Sequence, residues 1–205
     1  MYLPRLFENT ERGQLVELMR AHPFATVLAL ADGAPEISHL PVLVAHDAPL
    51  VLQAHVARAN PLAKLVSDGA QLTVIFHGPH CYVSPRHYVN ADNVPTWNYA
   101  VVHASGRVRV LAPDAAFTHL KDLAARFESN VAQPWTPDAS GNLPRELVPA
   151  LVAFEIEVEQ LTGKFKLSQN RSREDWQGVV DAFEQSSNAD ERAVLALMKR
   201  QGPPR

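Results

Sequence analysis

From Val102 to Val110 the chain alternates without a break. Val102, Ala104, Gly106, Val108 and Val110 fall on one side, and His103, Ser105, Arg107 and Arg109 on the other. A period of two is that of a strand with one buried face, and a helix would scatter the same residues round its axis. A second run repeats the pattern, with Val152, Phe154, Ile156 and Val158 set against Glu155, Glu157 and Glu159. Further strands are predicted over Phe24 to Ala31, Glu36 to Ala45, Pro49 to His55, Leu72 to Phe76 and Cys81 to Ser84. Asp32-Gly33 supplies a hairpin turn between the first two.

Helices are predicted where the period changes. Leu15, Leu18 and Met19 share one face of a helix over Glu11 to Ala21. Asn60 caps a second, with Pro61 at its first position and Asp68-Gly69 at its end. A third opens at Pro113 and carries Phe117, Leu120, Ala124 and Phe127. Residues 132–146 read as a Pro-rich loop with one helical turn. Ser172 caps a helix bearing Trp176, Val179, Val180 and Phe183, and Asn188 with Glu191 spells a capping box before the last one. Helices do not alternate regularly with strands. The expectation is therefore an α+β fold around a mostly antiparallel sheet, closed or half-closed into a barrel, and not a doubly wound parallel sheet. Residues 1–171 are expected to form that domain and 172–205 a helical appendage.

Composition removes several classes of function. The 205 residues are 46% hydrophobic and carry a net charge of -3, so no global basic field draws nucleic acid or an anionic membrane. No apolar run approaches the roughly 20 residues that span a bilayer. Cys81 is the single cysteine, which excludes an intrachain disulfide and points to a reducing cytosol. The opening residues do not read as a signal peptide. No two glycines form a GxG pair, so the dinucleotide fingerprint and the P-loop are absent, as are HExxH and Gly-x-Ser-x-Gly. His77, His80 and His87 have a spacing that could suggest a metal. Gly78-Pro79 and the lack of a neighbouring acid argue against one, and Cys81 is expected to be inertly buried.

Three polar clusters remain. The densest lies between Phe76 and His103, where histidines, tyrosines, Trp97 and Asn98 crowd between two apolar runs. A flat ligand needs such aromatic walls and a few fixed polar groups. An ordered loop closing a barrel end would look the same. The second cluster is His55, Arg58 and Asn60, at the start of the Pro61 helix, where Arg58 and free backbone N–H groups favour an anion. A plain surface turn is the other reading. The third is Lys166, Ser168, Gln169, Asn170 and Arg171. Together the clusters suggest a phosphate end, a polar middle and an aromatic end for one ligand.

The blocks HVARANP (55–61), GPHCYVSP (78–85), NVPTWNY (93–99) and KLSQNR (166–171) closely resemble those of the PaiB-type FMN-binding transcriptional regulators. The opening MYLPRLFE and His39-Leu40-Pro41 match as well. The resemblance implies the split β-barrel shared with pyridoxamine phosphate oxidases and flavin reductases, paired as a homodimer with FMN at the interface. It puts His55, Arg58 and Asn60 near the phosphate, although His55 and Asn60 depart from the oxidase pattern. It makes Lys166, Ser168, Gln169 and Asn170 cofactor candidates, brings Trp97 and Asn98 to the flavin, and lets His39 line the pocket. The implied role is negative transcriptional regulation. A flavin-dependent oxidoreductase using reduced nicotinamide is the alternative, with Tyr82, His87 and Tyr99 as acid–base candidates. A haem-binding or haem-degrading protein is a third. No helix-turn-helix is evident, and Asp175, Asp181, Glu184, Asp190 and Glu191 on the C-terminal helices disfavour direct contact with DNA. The small-molecule substrate or signal is not specified by the sequence.

Overall fold

The computed structural model describes residues 1–31, 33–90 and 92–204. Among these residues, eight strands build one antiparallel sheet. They are β1 (Glu8–Asn9), β2 (Phe24–Ala31), β3 (Ala34–Pro41), β4 (Leu43–Asp47), β5 (Leu50–Ala57), β6 (Gln71–Val83), β7 (Thr96–Val110) and β8 (Leu151–Lys166). Their order is β3-β2-β6-β7-β8-β5-β4, and β1 adds to β8. Five helices accompany them: α1 (Arg12–Ala21), α2 (Pro113–Glu128), α3 (Leu143–Leu147), α4 (Arg173–Glu184) and α5 (Ala189–Gln201).

The expected alternation is present and longer than foreseen. On β7 it runs from Asn98 to Val108, with every even-numbered residue buried. The block Thr96-Trp97-Asn98-Tyr99, expected in a loop, is therefore strand. Val110, placed on the inner face by its phase, is 37% exposed. The two strands expected around Gly78-Pro79 are one strand, β6. Burial falls on even residues up to Gly78 and on odd residues from Cys81, so the phase slips at Pro79-His80. Proline is tolerated inside a sheet at such irregular points. The predicted Glu36–Ala45 strand is divided, since β3 ends at Pro41 and β4 begins at Leu43. The helix predicted after Asn60 is only a four-residue 3-10 turn, Pro61–Lys64. Ala31 pairs with Ala34, and Gly33 adopts a φ of +82°, as a tight reversal requires. Asp32, the other half of that predicted turn, lies outside the described residues.

Packing divides the chain into two compact units. Unit one comprises Met1–Leu18, His77–Val102 and Thr162–Arg205, and unit two comprises Met19–Phe76 and His103–Leu161. In unit two β5 pairs with β8 from Val51–Glu157 to Ala57–Leu151. Leu52, Phe76, Phe154 and Ile156 are fully buried there, each contributing roughly 1.5–3 kcal/mol by leaving water. Gly106 sits where a Cβ would come within 1.9 Å of the Glu157 carbonyl oxygen, so no other residue fits. On the polar face the arginines of β7 meet the glutamates of β8: Arg107 pairs with Glu159 at 2.7 Å, and Arg109 with Glu155.

In unit one the core is built by α4 and α5, with Val179, Phe183, Val194 and Met198 fully buried. Ser172 caps α4 by accepting from the Asp175 N–H at 3.1 Å. Asn188 caps α5 by accepting from the Asp190 N–H at 2.9 Å. The Asn188 N–H goes to Ser186 Oγ at 3.0 Å, so the donor that a reciprocal box would give to Glu191 is already used.

Candidate functional site

Unit one carries an aromatic cleft of about 340 Å³, lined by His77, Gly78, His80, Trp97, Tyr99 and Ala100. The slip at Pro79-His80 places His80 and then Tyr82 on the exposed face of β6. Trp97 answers them from β7 and is 53% exposed. Its ring lies 6.3 Å from that of His80, tilted by 31°, and 6.3 Å from that of Tyr82, edge-on at 75°.

Cations gather along the segment that carries Trp97. Lys166 donates to Thr96 Oγ1 at 2.6 Å and to the Trp97 carbonyl at 2.7 Å, so it fixes the backbone that carries the indole. Burial, and then the charges of Arg171 and Lys164, hold its ammonium below the ordinary lysine value. Lys164 is buried and donates to the Tyr2 carbonyl at 2.9 Å. Its Nζ lies 5.4 Å from the Tyr2 ring and 5.5 Å from the Tyr99 ring, a cation–π arrangement. Arg171 donates to Asn93 Oδ1 at 2.5 Å and lies 4.6 Å from the Tyr88 ring.

The remaining predicted residues of unit one form its frame. Asn98 is fully buried; its amide N–H donates to Ser168 Oγ at 2.9 Å, with Met198 Sδ at 3.6 Å. Ser168 is held at a φ of +66°, a conformation uncommon outside glycine. Gln169 folds back onto the end of β8, accepting from the Leu167 N–H and donating to the Phe165 carbonyl, both at 2.5 Å. Asn170 is exposed at the turn. Asp175, in the first turn of α4, accepts from the N–H groups of Val89 at 2.8 Å and Asn90 at 3.2 Å. It thereby ties down the segment leading to β7. Cys81 is buried, and its thiol is pushed up to about 12 by burial, with Glu191 and Asp190 adding to the rise.

Unit two holds the other four predicted residues. His39 is exposed, with Nδ1 3.2 Å from Thr26 Oγ1. Asn60 caps the 3-10 turn by accepting from the Leu62 N–H at 2.9 Å, and donates to Ser38 Oγ at 3.1 Å. His55 Nδ1 lies 3.1 Å from Nε2 of His119 on α2. His119 is almost wholly buried, and its Nδ1 has no hydrogen-bond partner among the described residues. Burial, and then His55, lower its pKa to about 4. Arg58 donates through Nε to the Pro149 carbonyl and through Nη2 to the Leu151 carbonyl, both at 2.7 Å.

Thus Trp97, Asn98, Lys166 and Ser168 come together, with Gln169 and Asn170 beside them on the same turn. Lys164 and His119 were not among the predicted residues. Lys164 could have been found from its spacing, because residues two apart on a strand share a face with Lys166. His119 gave a weaker signal, a histidine inside the apolar stripe of a helix.

The open antiparallel sheet is that of the split-barrel flavoproteins. It is similar to the FAD- and haem-binding protein from Mycobacterium smegmatis, with a TM-score of 0.59 and 20% identity, covering 78% of this chain and 73% of that one. It is also similar to the flavocytochrome Anf3 from Azotobacter vinelandii, with a TM-score of 0.55 and 15% identity over 80% and 72% of the two chains. These likenesses show the fold. Residues 1–160 match the family described as "Putative FMN-binding domain", and the chain belongs to that family. Protease synthase and sporulation protein PAI 2 from Bacillus subtilis is 30% identical over 202 residues, 97% of each chain. An uncharacterized protein from Emericella nidulans, AN0679, is 27% identical over 98% of each chain. The chain is a flavin-binding protein whose cofactor class is FMN.

Proposed function

We propose that the unit-one cleft receives the isoalloxazine ring of FMN, and that the protein works as a cytosolic homodimer of PaiB type in negative control of transcription. The observation that carries the proposal is the pairing of a Trp97–His80 aromatic wall with a positive field from Lys166, Lys164 and Arg171. A flavin ring is flat, apolar on its faces and electron-rich along its pyrimidine edge, so rings and cations suit it together. FMN would supply the redox chemistry. Lys166 would hold Trp97 in place and bring positive charge to the ring edge, and Tyr99 and His80 would exclude water from its faces.

Exposed apolar side chains on unit one, Tyr82, Val89, Val94 and Trp97, support an interface with a second copy. Among the described residues no helix is long and apolar enough to cross a membrane. The acidic residues of α4 and α5 favour regulation without direct DNA contact. A specific, salt-sensitive complex with promoter DNA at nanomolar protein would overturn that part.

The test is an absorption spectrum of the purified protein after FMN is added and the excess removed. Bands near roughly 370 and 450 nm, at about one flavin per chain, are expected. Light scattering should give the mass of two chains. Protein that retains no flavin would end the proposal.

A further inference from the structure

We infer that unit two carries a second binding site, for a small α-amino acid with an aliphatic side chain. The site is a hollow of about 200 Å³ between the last turn of α1, the start of β4 and α2. It is smaller than the roughly 300 Å³ at which sites for drug-sized ligands begin. Pro23, Val42, Leu43 and Val44 form its apolar wall. The Val42 N–H donates to the Pro23 carbonyl at 2.8 Å, so these two backbone groups are satisfied within the wall. Such a wall favours a short hydrocarbon side chain.

The charges on α2 set the two ends of the ligand. Asp122 and Arg126 are four residues apart, the spacing at which an acid and a base on one helix face normally pair. Here they do not. Arg126 is turned to the end of α1, where its Nη2 donates to the Arg20 carbonyl at 2.9 Å. Among the described residues, neither Asp122 nor Arg126 has an oppositely charged partner. The third charged residue of the lining, Arg20, is already paired with Asp47 at 2.8 Å. What remains is one carboxylate and one guanidinium, held apart beside the same hollow. An α-amino acid carries the complementary pair, an ammonium for Asp122 and a carboxylate for the remaining N–H groups of Arg126. A plain carboxylate or a plain amine would leave one of the two charges unanswered. Both side chains lie at the surface, so each contributes modestly. None of these residues lines the aromatic cleft of unit one, and the inference stands independently of the flavin proposal.

Calorimetric titration of the full-length protein with leucine, with and without FMN, tests it. Leucine should saturate at one per chain. Isocaproate, which lacks the ammonium, and isopentylamine, which lacks the carboxylate, should each bind at least threefold more weakly. Asp122→Asn should lose at least threefold in leucine affinity and leave the affinity for isocaproate unchanged. Arg126→Gln should lose as much for leucine and leave isopentylamine unchanged. Asp122 has no partner to lose, so its variant keeps the fold and isolates the effect on the ligand. Absence of saturable leucine binding would overturn the inference. So would equal affinities for leucine and isocaproate, or undiminished leucine binding in Asp122→Asn. Competition between leucine and FMN would also overturn it, since the hollow would then be part of the flavin site.

Discussion

The aromatic cleft of unit one and the hollow beside Arg58 in unit two differ little in size, about 340 Å³ and about 390 Å³, and almost completely in what surrounds them. In unit one, rings form much of the wall, and Lys166 and Arg171 hold the segment that carries Trp97. In unit two the lining side chains are aliphatic apart from Arg58, and the Asp68 carboxylate accepts from the N–H of Val110 in that wall at 2.7 Å. Both sets of cations are tied to backbone carbonyls, Lys166 to Trp97 and Arg58 to Pro149 and Leu151. Volume therefore says little about the ligand. The lining decides what each can hold.

The sharpest way to break the contrast is to disturb the support of one cleft only. At Gly178 a Cβ would lie 2.1 Å from the His87 carbonyl oxygen, so α4 and the Pro85–His87 turn must separate in Gly178→Ala. The expected cost is about 3 kcal/mol, read as a fall in denaturation midpoint with loss of bound FMN. A variant as stable as the parent would show that this contact is not needed.

Unit two should respond to acid instead. His119 has its pKa lowered to about 4 in the fold and returns to the ordinary 6.5 when unfolded. Between those values the unfolded chain binds more protons. The stability is fully present above pH 6.5 and is lost as pH falls towards 4. Between pH 6.5 and 4.5 the loss should be about 2 kcal/mol, measured by urea unfolding, and His119→Phe should flatten the dependence. An unchanged slope in that variant would clear His119.

Smaller effects should separate the parts of the flavin cleft. Lys166→Met removes a charged donor to Thr96 and Trp97, and FMN affinity should fall by about 2 kcal/mol. Trp97→Ala should cost about 1 kcal/mol and raise the fluorescence of bound flavin, since the indole no longer quenches it. Titration followed by flavin emission checks both. If Trp97→Ala leaves emission unaltered, the ring lies elsewhere.

The sheet was legible because a period of two cannot be mistaken over nine residues, and Val102 to Val110 supplied it. Its length was not. Gly78-Pro79 resembles a chain break, and only the slip in burial at Pro79-His80 shows how a strand passes through it. Asn60-Pro61 has the chemistry of a helix start, yet only Pro61–Lys64 forms a turn, because local capping cannot extend a helix by itself. At the candidate site, residue type identified Trp97 and Lys166 as worth naming. It could not reveal that Asn98 and Ser168 satisfy each other in the core, or that Arg58 is bound to two carbonyls. Those facts depend on partners 70 and more than 90 positions away in the chain.

The environment of Cys81 has a practical corollary for anyone wishing to watch this molecule move. The chain has no other cysteine, and a thiol pushed up to about 12 and buried in the protein supplies almost no thiolate near neutral pH. A maleimide dye would therefore pass it by. A single cysteine introduced on an exposed position would become the one site of labelling, so fluorescence or spin-label experiments could be run on the native background without first removing Cys81.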